Sequence, residues 1–177
     1  LQSNSINKFT HFINLVNIEY VFDTTNLLLD YGAKNILLEK PGSILKDEIK
    51  LLEKKSIAKK SKILIAYNRR FYKSINKLIE LCEKDGGIQN ISFEFTEWVH
   101  TIIESDYNSE VLKKWIISNS SHVIDTVFYL AGFPKIINSY VEGKNLIKWH
   151  PSGSIFVGSG ISEKNISFSY NTNWNSA

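Results

Sequence analysis

Lys40 is the residue whose place in the sequence best suits it to acid–base chemistry. It follows residues 35–39 (NILLE), a compact apolar run typical of a buried parallel strand, and it precedes a Pro41-Gly42 turn. In an open parallel sheet, ligands bind at the carboxyl ends of the strands. A lysine amine held there by a fixed turn, in which the Lys-Pro bond can be cis, is able to exchange a proton with a substrate hydroxyl. A surface lysine ahead of a turn remains the alternative.

A second group of polar residues follows the next apolar run, residues 63–67 (ILIAY). Asn68, Arg69 and Arg70 come directly after it, again at the carboxyl end of a predicted strand. Paired guanidinium groups in this position are suited to hold an anionic phosphate or carboxylate. The alternative is a pair of arginines that simply lead into the next helix.

A third group depends on helical spacing. If residues 115–130 are helical, then Ser118, His122, Asp125 and Tyr129 fall at i, i+4, i+7 and i+11 and form one polar stripe. Such a stripe usually faces water. This stripe contains a histidine, whose side chain is suited to proton transfer near neutral pH, so a catalytic role and a solvated helix face both remain open.

Metal and disulfide chemistry find no support in the sequence. His11, His100 and His150 show no metal-ligand spacing with one another or with carboxylates, and Cys82 is the only cysteine. We therefore expect no metal site and no internal disulfide.

The elements that position these groups alternate in the first half of the chain. We predict a strand at 20–22, a helix capped at Asp23 and ended by Gly32, a strand at 35–39, a helix after residue 44 and a strand at 63–67. This alternation indicates a parallel sheet with right-handed crossovers.

The pattern changes after residue 71. A helix at 72–84 ends at Gly86, and an alternating strand follows at 91–96. A helical region at 109–131, strands at 136–142 and 154–158, and an alternating strand at 165–174 complete the chain. Alternation predicts a largely antiparallel open sheet covered by helices on one face. We place the domain boundary near residue 85, giving domains 1–85 and 86–177.

Composition excludes several classes of protein. The 177 residues are 43% apolar and carry 21 Lys and Arg against 18 Asp and Glu, which is typical of a folded globular chain. The lysine-rich run at 54–62 lacks interleaved aromatic residues, so we interpret it as a solvated helix end and not as a nucleic-acid site. No apolar stretch is long enough to span a bilayer and no signal peptide is recognisable, so we expect a cytoplasmic protein without a membrane partner.

Three segments together resemble the Gfo/Idh/MocA family of NAD(P)-dependent sugar oxidoreductases. They are residues 32–42 (GAKNILLEKPG), 66–71 (AYNRRF) and 120–132 (SSHVIDTVFYLAG), and the resemblance extends over about residues 20–175. It implies an α/β fold with part of a Rossmann-type dinucleotide-binding domain, followed by an α/β domain for substrate binding and oligomerisation. It also implies NAD or NADP as cofactor, a sugar or nucleotide-sugar substrate, and a homodimer or homotetramer.

The resemblance also implies roles for individual residues. Lys40 and His122 match the motif lysine and the helix histidine that line the family's active site, with Lys40 sharing the proton of the reacting oxygen and His122 as the other acid–base group. Glu39, Lys40 and Pro41 form the cofactor-binding segment. The residues matched to substrate binding are Asn68, Arg69, Ser118 and His122.

Two of the chain's departures from the family pattern bear on its function. The Gly-rich turn that binds dinucleotide phosphates does not occur in the sequence, and Ser118 stands where many members carry Asp four residues before the histidine. The sequence also contains no methionine, so we expect a fragment or an incomplete chain. A non-catalytic sugar-binding or assembly paralogue is therefore the alternative function, and reduction of an imine or a biliverdin-like ligand is a second alternative among enzymes.

Overall fold

The computed structural model describes residues 8–176, and contacts within it divide the chain into two compact units between Tyr67 and Asn68. This division falls earlier than the expected domain boundary near residue 85. The helix that follows the boundary, at Lys73–Lys84, belongs to the second unit by its contacts.

The first unit is a three-stranded parallel sheet with two helices. Strand order is β1-β2-β3, and both neighbouring pairs run parallel. The elements are β1 (Phe12–Asn14), α1 (Ile18–Asp30), β2 (Asn35–Leu38), α2 (Lys46–Ala58) and β3 (Lys62–Ile65). The predicted alternation and the parallel sheet are confirmed.

The predicted strand at residues 20–22 is wrong, and so is the helix cap at Asp23. These residues lie inside α1, which begins at Ile18 after Asn17, while the first strand lies earlier, at Phe12–Asn14. Val21, Thr25 and Leu29 are buried at intervals of four, which is the helical period. A three-residue apolar run does not distinguish a strand from one buried turn of a helix.

The helix end predicted at Gly32 is confirmed. Gly32 has φ +89°, the Ala33 amide donates to the Leu28 carbonyl, and the Gly32 amide donates to the Leu29 carbonyl, at 3.0 and 3.1 Å. This is the Schellman pattern, in which a residue with positive φ allows the last carbonyls of a helix to be satisfied. It turns the chain directly into β2.

The second unit is a four-stranded sheet with helices and turns on its inner face. Strand order is β4-β7-β6-β5. The strands and helices are α3 (Lys73–Lys84), β4 (Asn90–Phe93), α4 (Ser109–Lys113), α5 (Ser121–Ala131), β5 (Pro134–Glu142), β6 (Ile155–Ser162) and β7 (Ser167–Asn173). β4 pairs with β7 in parallel and the other pairs are antiparallel, so the sheet is mixed and largely antiparallel.

Aromatic side chains fill the core of the second unit. Phe95, Trp115, Trp149, Phe156 and Trp174 form one buried cluster between the sheet and the helices. The predicted alternation of the last strand is confirmed, because Phe168 and Thr172 are buried and Tyr170 is half-buried, while Ser167 and Asn171 on the other face are exposed. This core fixes the inner face of the sheet against α5.

Two glycines of β6 make room for the rings of β7. A Cβ on Gly158 would lie 2.3 Å from the Tyr170 hydroxyl, and a Cβ on Gly160 would lie 2.6 Å from the Phe168 ring. Because a Cβ never approaches so closely, the ring packing requires glycine at both positions.

The helical region predicted at 109–131 is present but interrupted. After α4, residues Ile116–Ser120 form a π-helical turn that leads directly into α5. No helix among residues 8–176 is long and apolar enough to cross a membrane.

Candidate functional site

The carboxyl edge of the first sheet presents Glu39 and Lys40. The Glu39 amide donates to the Asn14 carbonyl at 2.9 Å, and the Ala66 amide donates to the Leu38 carbonyl at 2.7 Å. These bonds continue the sheet pairing beyond the strands and hold the three strand ends together. Glu39 and Lys40 are therefore displayed from a fixed edge.

The turn after Lys40 is buried and fixed. The Lys40-Pro41 peptide bond is cis, and the Gly42 amide closes the turn by donating to the Glu39 carbonyl at 3.0 Å. Gly42 has φ +86°, and a Cβ there would lie 3.0 Å from Ile65 Cδ1. Pro41 and Gly42 are buried, whereas Glu39 and Lys40 are half-buried, so the chargeable side chains reach the surface from a packed turn.

Ser43 anchors the other side of this turn. Its hydroxyl bonds to the Glu48 carboxylate and accepts a hydrogen bond from the Leu45 amide at 2.9 Å. The turn is thereby tied to the first turn of α2. Functional groups on such a supported segment keep their geometry better than groups on a free loop.

In the second unit, Asn68, Arg69 and Arg70 lie on a single 3-10 turn, Asn68–Phe71. Asn68 is exposed and Arg69 is half-buried. Arg70 Nε donates to Asp125 Oδ2 at 2.8 Å, and Arg70 Nη2 donates to Asp125 Oδ1. Holding an external anion together was one of the two roles open to these arginines from the sequence, but the carboxylate that Arg70 holds belongs to the chain itself.

The polar stripe on the helical region begins later than predicted. The π-helical turn changes the phase, so Ser118 is buried, and its hydroxyl donates to the carbonyls of Val111 and Trp115 at 3.3 and 3.4 Å. His122 and Asp125 are half-buried at i and i+3 of α5. The structure brings His122, Asn68 and Arg69 onto adjacent elements, and it uses Ser118 inside the fold.

Glu97 was not recognised from the sequence. Its carboxylate accepts hydrogen bonds from Asn119 Nδ2 at 2.8 Å and from the Ser120 hydroxyl at 2.5 Å. Both donors belong to the π-helical turn, immediately before α5 and His122. Glu97 lies beyond the end of β4, and in the sequence it is set apart only by standing where the alternation of Ile91, Phe93 and Phe95 would place an apolar residue.

In residues 8–176, no three His, Cys, Asp or Glu side chains lie close enough together to hold a metal ion.

No protein-family model and no curated protein match the chain. Solved structures of oxidoreductases share its fold. A candidate NADPH-dependent oxidoreductase of Desulfitobacterium hafniense superposes with a TM-score of 0.78 at 14% identity, over 98% of this chain and 52% of that one. A candidate myo-inositol dehydrogenase of Sinorhizobium meliloti gives a TM-score of 0.69 at 13% identity, over 98% and 54%.

The WlbA dehydrogenase of Chromobacterium violaceum, solved with NADH and UDP-GlcNAcA, gives a TM-score of 0.72 at 11% identity, over 98% of this chain and 52% of that one. The chain thus shares the α/β fold of these structures. It spans about half the length of these structures. Identities this low establish the architecture alone.

Proposed function

We propose that the protein is an NAD(P)-dependent oxidoreductase of the Gfo/Idh/MocA family. It transfers a hydride to or from a hydroxyl- or carbonyl-bearing carbon of a sugar or nucleotide sugar, in the cytoplasm. The observation that carries the proposal is the supported Glu39-Lys40-Pro41 segment at the carboxyl edge of a parallel sheet, in a fold shared with oxidoreductases.

The residues at this edge suit the nicotinamide end of the cofactor. A half-buried carboxylate and a half-buried ammonium group provide an acceptor and donors for a ribose, and the buried Pro41 turn fixes both. The β1–α1 turn of residues 15–17 contains no glycine, so the described residues do not form a Gly-rich phosphate cradle. We therefore assign Glu39, Lys40 and Pro41 to the nicotinamide ribose end of the cofactor and not to its phosphates.

The bound nicotinamide would supply the hydride chemistry, and the protein supplies position and proton transfer. In the oxidising direction the Lys40 amine accepts the proton of the reacting hydroxyl, and in the reducing direction the Lys40 ammonium returns it to the carbonyl oxygen. His122 is the other candidate acid–base group. Asn68 and Arg69, next to the helix that carries His122, are the candidate contacts to substrate hydroxyl or anionic groups.

We also propose that the protein forms a homodimer or homotetramer through the outer face of its second sheet. A shallow groove of about 640 Å³ crosses this face, lined by Tyr140, Val157 and polar residues of β4 and β7. Exposed large apolar side chains on one sheet face are typical of an interface between subunits.

The test of the oxidoreductase proposal is cofactor binding, followed by turnover. The whole protein is titrated with NADH and with NADPH, and binding is monitored by calorimetry and nicotinamide fluorescence. We expect binding of one of the two cofactors. Glu39→Gln should weaken it, whereas Glu19→Gln, an exposed carboxylate on α1, should not.

Turnover is then screened with NAD or NADP and a panel of substrates that contains myo-inositol and UDP-sugar acids. The absorbance of the reduced nicotinamide reports the reaction. Failure of the folded protein to bind either cofactor would refute the proposal. Cofactor binding without turnover of any sugar would favour the non-catalytic paralogue.

A further inference from the structure

Arg70 and Asp125 form a two-point ion pair between two separate elements of the second unit. The guanidinium lies on the 3-10 turn Asn68–Phe71 and the carboxylate lies on α5. Nε and Nη2 of the arginine each donate to a different oxygen of the aspartate. A bidentate pair fixes the relative direction of its partners as well as their distance.

Burial separates this pair from the other ion pairs among the described residues. The Asp125 side chain is 10% exposed and that of Arg70 is 35% exposed. Carboxylates in the remaining pairs are at least 46% exposed. Exposed pairs contribute little to geometry, because water competes for both partners and the side chains stay free to move.

Tyr129 adds a third contact to the pair. The Arg70 guanidinium carbon lies 5.3 Å from the centroid of the Tyr129 ring, one helical turn beyond Asp125. A planar guanidinium can hold a carboxylate by its edge and contact an aromatic ring by its face at the same time, which a lysine cannot do. The 3-10 turn that carries Arg70 is therefore held at two positions of α5 that lie one helical turn apart.

The pair lies between the residues proposed to act on substrate. His122 precedes Asp125 by three positions on the same helix, and Asn68 and Arg69 immediately precede Arg70. Each of the three is therefore within one turn of an ion-paired residue.

We infer that Arg70 and Asp125 are positioning residues of the active site. Their ion pair fixes the direction of the His122 side chain relative to Asn68 and Arg69, and neither residue contacts substrate. The inference rests on the proposed oxidoreductase function for its catalytic meaning. The geometry it describes is measurable without turnover.

The first experiment observes His122 directly. The whole protein is labelled at its four histidines, and the imidazole resonances are assigned by His122→Gln. In Asp125→Asn and Arg70→Met, the His122 resonances should shift and broaden, whereas those of His150, in the separate aromatic core, should not. Glu110→Gln, which breaks the exposed pair with Lys113, is the matched control and should leave both unchanged.

The second experiment uses rescue. Arg70→Lys keeps the positive charge but cannot form the two-point hydrogen bond to Asp125, so the His122 resonances should stay perturbed. The exchanged pair Arg70→Asp with Asp125→Arg should move them back toward the wild type. Full recovery with Arg70→Lys would show that charge alone matters and would overturn the inference.

Turnover distinguishes this inference from the proposed function. With the sugar and cofactor found in the screen, kcat should fall about 10²-fold in Asp125→Asn, the scale of a misplaced catalytic group, while the cofactor Kd stays unchanged. Unperturbed His122 resonances in both Asp125→Asn and Arg70→Met would overturn the inference. Perturbed resonances in a protein whose wild type has no turnover would support the geometry and refute the oxidoreductase proposal. If Arg70→Met does not fold, Asp125→Asn, which keeps the side-chain volume, decides.

Discussion

Asn14 and Thr25 share a buried hydrogen bond that joins the first strand to the first helix. Asn14 Nδ2 donates to Thr25 Oγ1 at 3.0 Å, and the Thr25 hydroxyl donates to the Val21 carbonyl at 2.7 Å. Both residues are almost completely inaccessible to solvent. Buried polar groups are stable only when paired, and this bond pairs the Asn14 amide, which also donates to the Val21 carbonyl at 3.3 Å.

Thr25→Val is expected to lower the free energy of unfolding by about 1–3 kcal/mol, because it removes one of the two acceptors of the buried Asn14 amide while keeping the side-chain shape. Urea denaturation followed by circular dichroism measures the change. Thr24→Val, at the half-exposed neighbouring position of the same helix, should change it by less than about 0.5 kcal/mol. Equal effects of the two substitutions would contradict the buried bond as their cause.

The first strand is misplaced by the sequence prediction because its pairing is long-range. Asn14 is of a residue type common in loops, and β1 is a strand because residues 12–14 pair with residues 36–38 of β2. In contrast, residues 35–38 are predictable because they contain a continuous apolar run, of which Ile36 and Leu38 are buried. Local patterns predict elements whose apolar residues are adjacent in the chain, and they miss short strands that are defined by long-range pairing.

Acid should weaken the contact between α1 and α2. Lys55 Nζ lies 2.7 Å from Asp30 Oδ2, and the hydrogen bond from Lys55 lowers the pKa of the Asp30 carboxyl below its usual value. A lowered pKa in the folded state gives stability that is complete above the unfolded value of about 3.9 and is lost as the pH falls through the folded value.

Asp30→Asn removes this contribution. The urea midpoint of Asp30→Asn should therefore lie below that of the wild type at neutral pH and approach it at about pH 2, below both pKa values. Asp23→Asn, an exposed carboxylate on the same helix with no ion pair among residues 8–176, is the control. A midpoint difference for Asp30→Asn that does not change with pH would exclude the ion pair as its source.

Glu97 should be necessary for the π-helical turn before α5. Glu97→Ala leaves the buried Ser120 hydroxyl and the Asn119 amide without their acceptor, a loss of about 1–3 kcal/mol. Hydrogen exchange of the amides at 116–122 should accelerate. Glu94→Ala, an exposed carboxylate nearer to the same strand, should leave these amides protected, and equal protection in both variants would count against the role of Glu97.

Glu97 and Arg70 show how far a site can be predicted from sequence. Glu39, Lys40 and His122 are recognisable because each stands in a local motif. Glu97 reaches the helix from more than twenty residues away, and Arg70 meets Asp125 across fifty-five residues. Neither pairing has a sequence period, so only the folded chain reveals which polar residues hold the others in place.

The outer face of the second sheet should hold subunits together. Tyr140→Glu and Val157→Glu place charges on this face and should shift the mass measured by light scattering toward the monomer at micromolar concentration. Ile103→Glu, an exposed apolar residue on a turn outside the sheet, should have no effect. A monomeric wild type at all concentrations would refute the proposed assembly.

Lys40 is expected to contribute more to catalysis than His122. Lys40 extends from the end of a strand of the parallel sheet and is followed by a buried proline turn. In contrast, the π-helical turn before the helix of His122 carries Ser118, whose hydroxyl is used within the fold and cannot orient the imidazole as a carboxylate could. General acid–base catalysis depends on a held geometry as well as on proton affinity. Lys40→Ala should therefore lower kcat by about two to four orders of magnitude with cofactor binding mostly retained, and His122→Ala should cost less.

Stopped-flow measurement of hydride transfer decides this ranking once a substrate is known. Lys46→Ala, an exposed lysine at the start of α2, is the matched control and should retain full activity, because its charge lies outside the fixed turn. An active Lys40→Ala beside an inactive His122→Ala would reverse the assignment, since the proton would then be transferred by the helix and not by the strand edge. If both variants bind the cofactor and neither differs from the wild type, neither side chain carries the proton transfer, and the acid–base roles proposed for Lys40 and His122 are both refuted.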